Sequence, residues 1–217
     1  MDTVLSYHDV LLRHDDLLLL REPNWLNDQV LAFYFEYLAQ EIYEEKGMTF
    51  VNGSMSYFLA HGSAEDASQM VTSMDMRSDK VIFFAVNNNP FVETAAGGSH
   101  WSLLVYKTGQ FIHCDSLCRT NSDAAQQLAA KIGPSLDSSF TIPDSFVHAE
   151  SPQQMNGYDC GAYVMANAKV IADACAKLGK DYAEVNIQHA IKIVTPAMVT
   201  ALRAECLQLI HDIARRT

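Results

Sequence analysis

The apolar stretch from Cys160 to Ala174 constrains the fold more than any other part of the sequence, because most of its positions are hydrophobic. Asn156-Gly157 in front of it is typical of a turn, and Asp159 is typical of a helix N-cap. We therefore predict a helix that begins at Cys160 and lies inside the protein. Unpaired N–H groups and the positive end of the dipole at a helix start favour a thiolate, the reactive form of cysteine. A buried structural cysteine is the alternative, since free cysteine is among the most buried residue types.

Composition and charge narrow the classes of protein to which the chain can belong. The sequence has 217 residues, a length that predicts one domain spanning residues 1–217. Hydrophobic residues make up 49% and charged residues 19%, which indicates a folded globular chain. The net charge of -11 and the lack of a basic block disfavour binding to nucleic acid or to a membrane surface. They favour a partner with a basic contact surface.

Cysteine usage and hydropathy predict where the protein works. The chain has five cysteines, an odd count without the spacing of a disulfide framework, as is typical of a reducing compartment. The first residues lack the basic and apolar regions of a secretory signal. No apolar run approaches the roughly 18 residues that are needed to span a bilayer. We therefore expect a soluble protein of the cytoplasm, the nucleus or both.

A predicted β-hairpin supplies partners for the candidate nucleophile. Residues 101–106 and 111–114 have strand-like patterns, and Thr108-Gly109 between them is typical of a turn. The register set by this turn places His100 and Asp115 on one face, as diagonal neighbours about 7–8 Å apart at one end of the hairpin. A slip of one residue would put them on opposite faces. The predicted pairs are Tyr106 with Phe111, Leu104 with His113, and Ser102 with Asp115.

These residue types together predict acyl-transfer chemistry. Attack by a thiol on an acyl carbon needs a base, a group that orients the base, and donors for the oxyanion. We assign Cys160 as the nucleophile, His100 as the base and Asp115 as the orienting carboxylate. The backbone N–H of Cys160 and the side-chain amide of Gln154 would form the oxyanion hole. A structural role for His100 at a strand end is the alternative, and the shared face with Asp115 argues against it.

A zinc site is a second hypothesis for the hairpin end. His113, Cys114, Asp115 and Cys118 have suitable ligand chemistry. Strand alternation, however, directs Cys114 to the face opposite His113 and Asp115, and the sequence has no second Cys/His pair. We therefore predict no metal at this position.

The remaining patterns predict the elements around the hairpin. Residues 5–20 are expected to form a short helix or turn followed by a brief extended segment, and residues 81–86 a strand buried on both faces. The clearest helix of the first half begins at Asn27 or Asp28 and ends at Gly47. Other helices are predicted over residues 55–61, 64–70 and 182–193, and from Pro196 onward. Residues 121–132 are predicted to form an exposed helix, and residues 140–148 to form loop and strand.

Four motifs occur in order along the chain: Trp25-Leu26-Asn27-Asp28, residues 97–104 (GGSHWSLL), Asp115-Ser116 and residues 154–161 (QMNGYDCG). Together they resemble the ubiquitin-like-specific, or sentrin-specific, cysteine proteases, and the resemblance covers nearly the whole chain. It implies an α+β papain-like fold with a central mixed sheet flanked by helices and the catalytic cysteine at the start of a buried helix. It also implies catalytic residues in the order histidine, aspartate, cysteine. The expected reaction is cleavage after the C-terminal Gly-Gly of a ubiquitin-like modifier, with no metal or organic cofactor.

Within this family the chain most resembles the deneddylating members. Leu5-Ser6-Tyr7, residues 95–106 and the lack of a long N-terminal extension carry this resemblance. It implies that the substrate is neddylin, the modifier of the neddylation pathway, both as a precursor and on proteins such as cullins. Residues 153–157 are also similar to the SUMO-specific members, so a SUMO- or ubiquitin-directed protease is an alternative. A catalytically silent module that binds modifier tails and an acetyltransferase of the same fold are two others.

The resemblance also implies substrate-binding residues. Trp25 and Trp101 resemble an aromatic pair that roofs a narrow tunnel, beneath which only residues without side chains pass; core packing is their alternative role. Asp28 resembles the carboxylate that binds the incoming tail. The loop from Asn87 to Ser99 resembles a mobile segment that orders when the modifier docks. We expect a monomer whose acidic surface meets basic patches on the modifier.

Overall fold

The structure is a computed structural model that describes residues 2–90 and 97–216. Its strands form a two-stranded hairpin and a five-stranded sheet. The strands are β1 (Thr3–Tyr7), β2 (Val10–Arg13), β3 (Met48–Val51), β4 (Val81–Asn87), β5 (Trp101–Lys107), β6 (Gln110–Cys114) and β7 (Phe146–His148). The α-helices are α1 (His14–Leu19), α2 (Asp28–Tyr37), α3 (Gly53–His61), α4 (Ala64–Ser73), α5 (Ser122–Leu136), α6 (Cys160–Leu178), α7 (Ile187–Ile191) and α8 (Pro196–Ala214).

The five-stranded sheet is mixed, and its strand order is β3-β4-β5-β6-β7. β4, β5 and β6 are antiparallel neighbours, while the outer strands β3 and β7 run parallel to β4 and β6. α6 packs on one face, and α3 and α5 pack on the other. The predicted α+β fold, a mixed sheet flanked by helices with Cys160 at the start of a buried helix, is confirmed.

Alternation along the central strands divides the hydrophobic core into two clusters. Leu103, Val105 and Cys114 belong to the cluster that includes the apolar residues of α6. Leu104 and Phe111 face the other way and pack with apolar residues of α3, α4 and α5. The strand predicted from Val81 onward is buried on both faces, as its continuous apolar sequence indicated.

The β5–β6 hairpin has the predicted register. Thr108 and Gly109 have φ values of 47° and 82°, as required of both central residues in the two-residue turn that matches strand twist. Tyr106 lies opposite Phe111, as expected. The second predicted pair, Leu104 with His113, is also present. The third, Ser102 with Asp115, is not a ladder pair, because β6 ends at Cys114.

The first twenty residues fold in the reverse of the predicted order. The β1–β2 hairpin comes first and α1 follows it. The strand pattern is the alternation of buried Leu5 and Tyr7 with exposed Ser6, which the sequence analysis overlooked. The helix α1 begins at His14, after the hairpin. Asp16 stabilises this start because its carboxylate accepts a hydrogen bond from Arg13 N at 2.8 Å.

Two further helix predictions need correction. α2 begins as predicted, with the Asn27 side chain accepting from Val30 N at 3.1 Å, but it ends at Tyr37 and not at Gly47. A π-helical turn, Leu38–Ile42, follows it, and Gly47 adopts a φ of 69° where the chain turns towards β3. α5 was predicted to be exposed. One of its faces is buried in the second cluster, because its alanine, leucine and isoleucine side chains pack against α3 and α4.

The other helical segments agree more closely with the sequence. α3 and α4 cover both predicted helices of residues 55–70, and α8 begins at Pro196 as expected. The helix predicted over residues 182–193 is divided into a 3₁₀ segment, Gly179–Glu184, and α7, because Asn186 caps a new helix start through His189 N. Within residues 2–90 and 97–216, no helix combines the length and the hydrophobicity needed to cross a membrane.

Candidate active site

The hairpin brings His100 and Asp115 together at one end of the sheet. His100 directly precedes β5 and Asp115 directly follows β6. His100 Nε2 lies 2.6 Å from Asp115 Oδ1, and the two side chains are only 2% and 1% exposed. The predicted proximity of these two residues is therefore confirmed.

Asp115 is held as a carboxylate by donors on several sides. Its Oδ1 accepts from Leu117 N at 2.8 Å, and its Oδ2 accepts from Asn121 N at 2.9 Å. Its own backbone N–H donates to Ser151 Oγ at 3.0 Å. Burial alone would raise the pKa of this carboxyl, but the hydrogen bonds from His100 and the two backbone amides outweigh it and lower the pKa.

His100 is poised as an imidazolium. Burial of its ring lowers the pKa, but hydrogen bonds to Asp115 and Cys160 outweigh burial and raise the pKa to about 9. At neutral pH the ring therefore carries a proton shared with a buried anion. Such a ring can hold a thiolate beside it and can later give its proton to a leaving amine.

Two asparagines that the sequence analysis did not assign to the site fix the backbone of His100. Asn88 Oδ1 accepts from His100 N at 3.0 Å. Asn121 Nδ2 donates to His100 O at 3.2 Å and to Val86 O at 3.1 Å. Asparagine is a common cap at the residue before a helix, but the Asn121 side chain makes no cap hydrogen bond to α5. Its position at a helix start hid its role, because the residue type there is typical of a cap.

Cys160 lies at the start of α6 and faces His100. The Cys160 thiol is buried, and it is a hydrogen-bond partner of the His100 ring. As the first residue of the helix, Cys160 has a backbone N–H without an intrahelical acceptor. The next residue is glycine because the helix start closely approaches Leu26, in the segment before α2: a Cβ at Gly161 would lie 3.0 Å from Leu26 Cβ.

Asp159 differs from its prediction. It precedes α6, yet its side chain makes no cap hydrogen bond to the helix. Both carboxylate oxygens are engaged elsewhere, since Oδ1 accepts from Arg203 Nε and Oδ2 accepts from Asn156 Nδ2, each at 2.8 Å. The first turn of α6 therefore keeps its free N–H groups directed towards the site.

Gln154 is the first residue of the nucleophile turn, residues 154–160, and its side chain is held by two hydrogen bonds. Its Oε1 accepts from Ser116 Oγ at 2.8 Å, and its Nε2 donates to Asn156 O at 2.7 Å. The amide group has two N–H bonds, so one remains for a further acceptor. This arrangement suits a donor to an oxyanion, although the catalytic role of Gln154 stays a prediction.

A cleft of about 590 Å³ joins five of the seven predicted site residues, while Asp115 and Gln154 lie outside its lining. Trp25, Asp28, Trp101, His100 and Cys160 all contribute to its lining. Trp25 is 50% exposed, which argues against the core-packing alternative for this side chain.

The cleft walls also have internal supports. Trp101 is tied across the cleft by a hydrogen bond from its Nε1 to Leu26 O at 3.0 Å. Asp28 accepts from Ser54 Oγ at 3.3 Å and keeps part of its surface exposed. The loop from Asn87 to Ser99, predicted to order on docking, falls partly on residues 91–96, which lie outside the described residues.

The residues of the zinc hypothesis do not converge. His113 is buried and its nitrogens contact His148 Nδ1 at 3.1 Å and Ser102 Oγ at 2.9 Å. Cys114 points into the other core cluster, as strand alternation predicted, and Cys118 is exposed. In the described part of the chain, no three His, Cys, Asp or Glu residues are grouped to hold a metal ion.

Comparison with known proteins gives the family. The family described as "Ulp1 protease family, C-terminal catalytic domain" matches residues 24–189. The chain belongs to the Ulp1 protease family. This is a family of cysteine proteases specific for ubiquitin-like modifiers, so the resemblance of the four motifs is confirmed.

Curated relatives match the Ulp1-family chain over almost its whole length. It is 36% identical over 220 residues to Sentrin-specific protease 8 of Rattus norvegicus, an alignment covering 98% of this chain and 96% of that protein. It is 33% identical over 215 residues to NEDD8-specific protease 1 of Arabidopsis thaliana, covering 98% of this chain and 94% of that protein.

Solved structures of Ulp1-family proteases share the fold. SUMO protease Ulp1 with its catalytic cysteine oxidised to a sulfenic acid matches with a TM-score of 0.71 and 20% identity, over 98% of this chain and 89% of that one. The C-terminal Ulp1 protease domain in complex with Smt3, the yeast ortholog of SUMO, matches with a TM-score of 0.65 and 21% identity, over 97% and 87% of the two chains. At these identities the likeness concerns the fold alone.

Proposed function

We propose that this chain is a deneddylase, a thiol protease that cleaves after the C-terminal Gly-Gly of neddylin. The proposed reactions are maturation of the neddylin precursor and release of neddylin from conjugates such as cullins. The observation that carries the chemistry is the buried His100–Asp115 pair at 2.6 Å, which adjoins Cys160 in a cleft with two tryptophans. Similarity over 98% of the chain to proteases named for sentrin and NEDD8 supports the choice of modifier.

The first chemical step is attack by Cys160. Its thiolate sulfur forms a bond to the carbonyl carbon of the terminal glycine, and the π electrons move to the carbonyl oxygen. The His100 imidazolium, whose pKa is raised to about 9, lies beside the sulfur and supplies the positive charge that favours attack by a thiolate. Asp115 orients the His100 ring by pairing with its Nε2. The other ring nitrogen, Nδ1, is therefore left to exchange protons with the sulfur and the leaving group.

The developing oxyanion is placed near two donors. The Cys160 backbone N–H lacks an intrahelical acceptor, and one N–H of Gln154 is left after the bond to Asn156 O. Ser116 holds the amide in this orientation by donating to Oε1. One such donor contributes about 3 kcal/mol of transition-state stabilisation.

Collapse of the intermediate completes the cycle. The carbon–nitrogen bond breaks, and His100 gives its proton to the leaving amine, which is a lysine side chain or a peptide nitrogen. Water then attacks the thioester with His100 as the base, and release of the glycine carboxylate returns the Cys160 sulfur. No step requires a metal or an organic cofactor.

The selectivity for Gly-Gly is steric in this proposal. Trp101 lies close above the start of α3, where a Cβ on Gly53 would come within 2.6 Å of the indole ring. Trp25, in the segment between α1 and α2, lines the same cleft. A tail that passes between two indoles has no room for side chains near the scissile bond, and Asp28 offers a carboxylate to a basic residue further along the tail.

The modifier is identified by comparing three substrates. C-terminal fluorogenic derivatives of neddylin, SUMO and ubiquitin are incubated with the protein, and kcat/KM is measured for each. We expect neddylin to be cleaved at least 100-fold better than the other two. Preferential cleavage of SUMO or ubiquitin would retain the chemistry and refute the proposed modifier. Cys160→Ala should be inactive, whereas Cys118→Ala, which changes an exposed cysteine, should retain activity.

We further propose that the protein acts as a monomer in the cytoplasm or the nucleus. The net charge of -11 suits association with a modifier that presents basic patches, because opposite charges accelerate the encounter. Sedimentation at micromolar concentration should give one species of about 24 kDa, in keeping with the 24.1 kDa chain. A dimer in that experiment would refute the monomer proposal.

A further inference from the structure

Arg203 of α8 is a buried cation whose role the protease chemistry leaves open. Only 2% of its surface is exposed, and its guanidinium donates three hydrogen bonds. Nε donates to Asp159 Oδ1 at 2.8 Å and Nη2 donates to Tyr158 O at 2.9 Å, both in the nucleophile turn. Nη1 donates to Leu19 O at 3.0 Å, at the end of α1. The guanidinium carbon also lies 5.7 Å from the centre of the Tyr158 ring.

The three acceptors belong to two chain segments that lead to residues lining the cleft, which are Cys160 on one side and Trp25 and Asp28 on the other. Tyr158 and Asp159 immediately precede Cys160, while Leu19 begins the segment that leads to Trp25 and Asp28. A single planar group therefore fixes two chain segments that are distant in sequence. A guanidinium suits this task because its donors are held in a rigid fork.

A chain of hydrogen bonds extends from Arg203 to the candidate oxyanion donor. Asp159 Oδ2 accepts from Asn156 Nδ2 at 2.8 Å, and Asn156 Oδ1 accepts from the backbone amides of Tyr158 and Asp159. Asn156 O in turn accepts from Gln154 Nε2 at 2.7 Å. The position of Gln154 relative to Cys160 therefore depends on a side chain of the C-terminal helix.

We propose that Arg203 is a positioning residue, which holds the nucleophile turn and the Leu19–Asp28 segment in their reactive arrangement. This role rests on the proposed function, since it concerns the same site. It also explains why Asp159 does not cap α6: its carboxylate neutralises a buried guanidinium, which would otherwise be costly to leave unpaired.

The test is steady-state kinetics of the full chain with the neddylin derivative. Arg203→Lys keeps the charge but lacks the fork that reaches three acceptors. We expect kcat to fall at least tenfold, with KM changing less than threefold, at a temperature where circular dichroism shows a folded protein. The matched control is Arg215→Lys at the C-cap of the same helix, because Arg215 is 71% exposed and pairs with Asp212 at 3.0 Å. This variant should stay within twofold of the wild type.

A purely structural role predicts a different result. Arg203→Lys would then melt at a lower temperature while its folded molecules kept a kcat within twofold of the wild type, and that result would overturn the proposal. Should Arg203→Lys fail to fold, Asn156→Ala decides the question. It removes the side-chain hydrogen bonds that join Asp159 and Tyr158 to Asn156, whose backbone carbonyl holds Gln154, and it leaves the guanidinium paired with Asp159. A tenfold loss of kcat supports the proposal, and a wild-type kcat refutes it.

A second readout is independent of the modifier. Iodoacetamide labels Cys160, and mass spectrometry of its peptide separates this reaction from labelling of the exposed Cys118. We expect labelling of Cys160 at pH 7 to be at least threefold slower in Arg203→Lys than in the wild type, because the sulfur is displaced from His100. An unchanged rate would overturn the proposal. If the wild type cleaves no neddylin derivative but this difference is observed, the proposed function fails and the positioning role stands.

Discussion

His100 and Asp115 are fifteen residues apart in the sequence, yet His100 Nε2 and Asp115 Oδ1 lie 2.6 Å apart in a buried site. Neither residue belongs to a strand, and each lies just beyond the end of one strand of the same hairpin. The turn at Thr108-Gly109 sets the register that makes them neighbours. A local feature of the backbone therefore determines the geometry of the candidate catalytic pair.

Asp115→Asn tests the orienting role of the carboxylate. An asparagine has one acceptor oxygen in place of two, so it cannot accept from both Leu117 N and Asn121 N while orienting His100 as before. We expect kcat to fall between about 10²- and 10⁴-fold, the range in which loss of an orienting carboxylate lies. Steady-state hydrolysis of the neddylin derivative measures this loss.

The matched control for that variant is Asp137→Asn. Asp137 also accepts from a backbone amide and a hydroxyl, those of Ser139, but it lies outside the cleft. The activity of the Asp137→Asn variant should equal that of the wild type. Equal activity of Asp115→Asn and the wild type would show that the carboxylate does not orient the base.

The pH dependence of activity follows from His100. Its pKa is raised from an ordinary 6.5 to about 9, so the imidazolium persists through neutral pH and is lost as pH rises through about 9. The same shift stabilises the fold: this contribution is complete below pH 6.5 and disappears by about pH 9. We therefore expect kcat/KM to decline with a midpoint near pH 9. A pH–rate profile with its alkaline midpoint near 6.5 would contradict this assignment.

His113 predicts a pH effect on stability in the acid range. Burial, together with the neighbouring charges of His148, His100 and Arg119, lowers its pKa to about 4, although Asp115 opposes them. The unfolded chain therefore binds more protons than the native state between pH 4 and 6.5. The free energy of unfolding should fall as pH decreases through this window, with a slope of at most about 1.4 kcal/mol per pH unit from this residue.

Urea denaturation at several pH values measures that slope. His113→Gln retains hydrogen-bonding groups but does not titrate, so its slope between pH 4 and 6.5 should be smaller than that of the wild type. His14→Gln changes an exposed histidine and should leave the slope unaltered. Identical slopes for the wild type and His113→Gln would contradict the prediction.

Gly53→Ala tests the tunnel beneath Trp101. The new Cβ would lie 2.6 Å from Cζ3 and 2.7 Å from Cη2 of the indole, so the ring must move. Movement would strain the hydrogen bond from Trp101 Nε1 to Leu26 O and change the width of the cleft. We expect kcat/KM for the neddylin derivative to fall about tenfold or more, since a small misplacement near the reacting atoms costs up to about 10²-fold. An unaltered kcat/KM would exclude a tight passage at this point.

Much of the fold and site was predictable because strong local patterns specify them. The apolar run after Cys160 indicated a buried helix, and the turn at Thr108-Gly109 specified the register that unites His100 with Asp115. The β1–β2 hairpin was mispredicted because four- and five-residue strands carry few repeats of the period-two pattern. Single-domain organisation over residues 1–217 stays a prediction.

The supports of the site were not predictable from sequence patterns. Arg203 lies 44 residues beyond Asp159, and no spacing rule connects a C-terminal helix to the turn before a nucleophile. Asn121 and Asp159 have the residue types of helix caps, and local propensity assigned them that role. In the folded chain, tertiary partners engage both carboxylate oxygens of Asp159, and Asn121 Nδ2 donates to two buried carbonyl groups that would be costly to leave unpaired.

The most direct test of Cys160 as the nucleophile and of neddylin as the modifier is reaction with neddylin, SUMO and ubiquitin probes that end in a vinyl sulfone. Mass spectrometry then identifies the modified peptide. We predict one covalent adduct, on Cys160, with the neddylin probe. Cys160→Ala should form none. Adducts with SUMO or ubiquitin alone would contradict the proposed modifier. The absence of any adduct would contradict the catalytic role of Cys160 and favour a silent module that binds modifier tails.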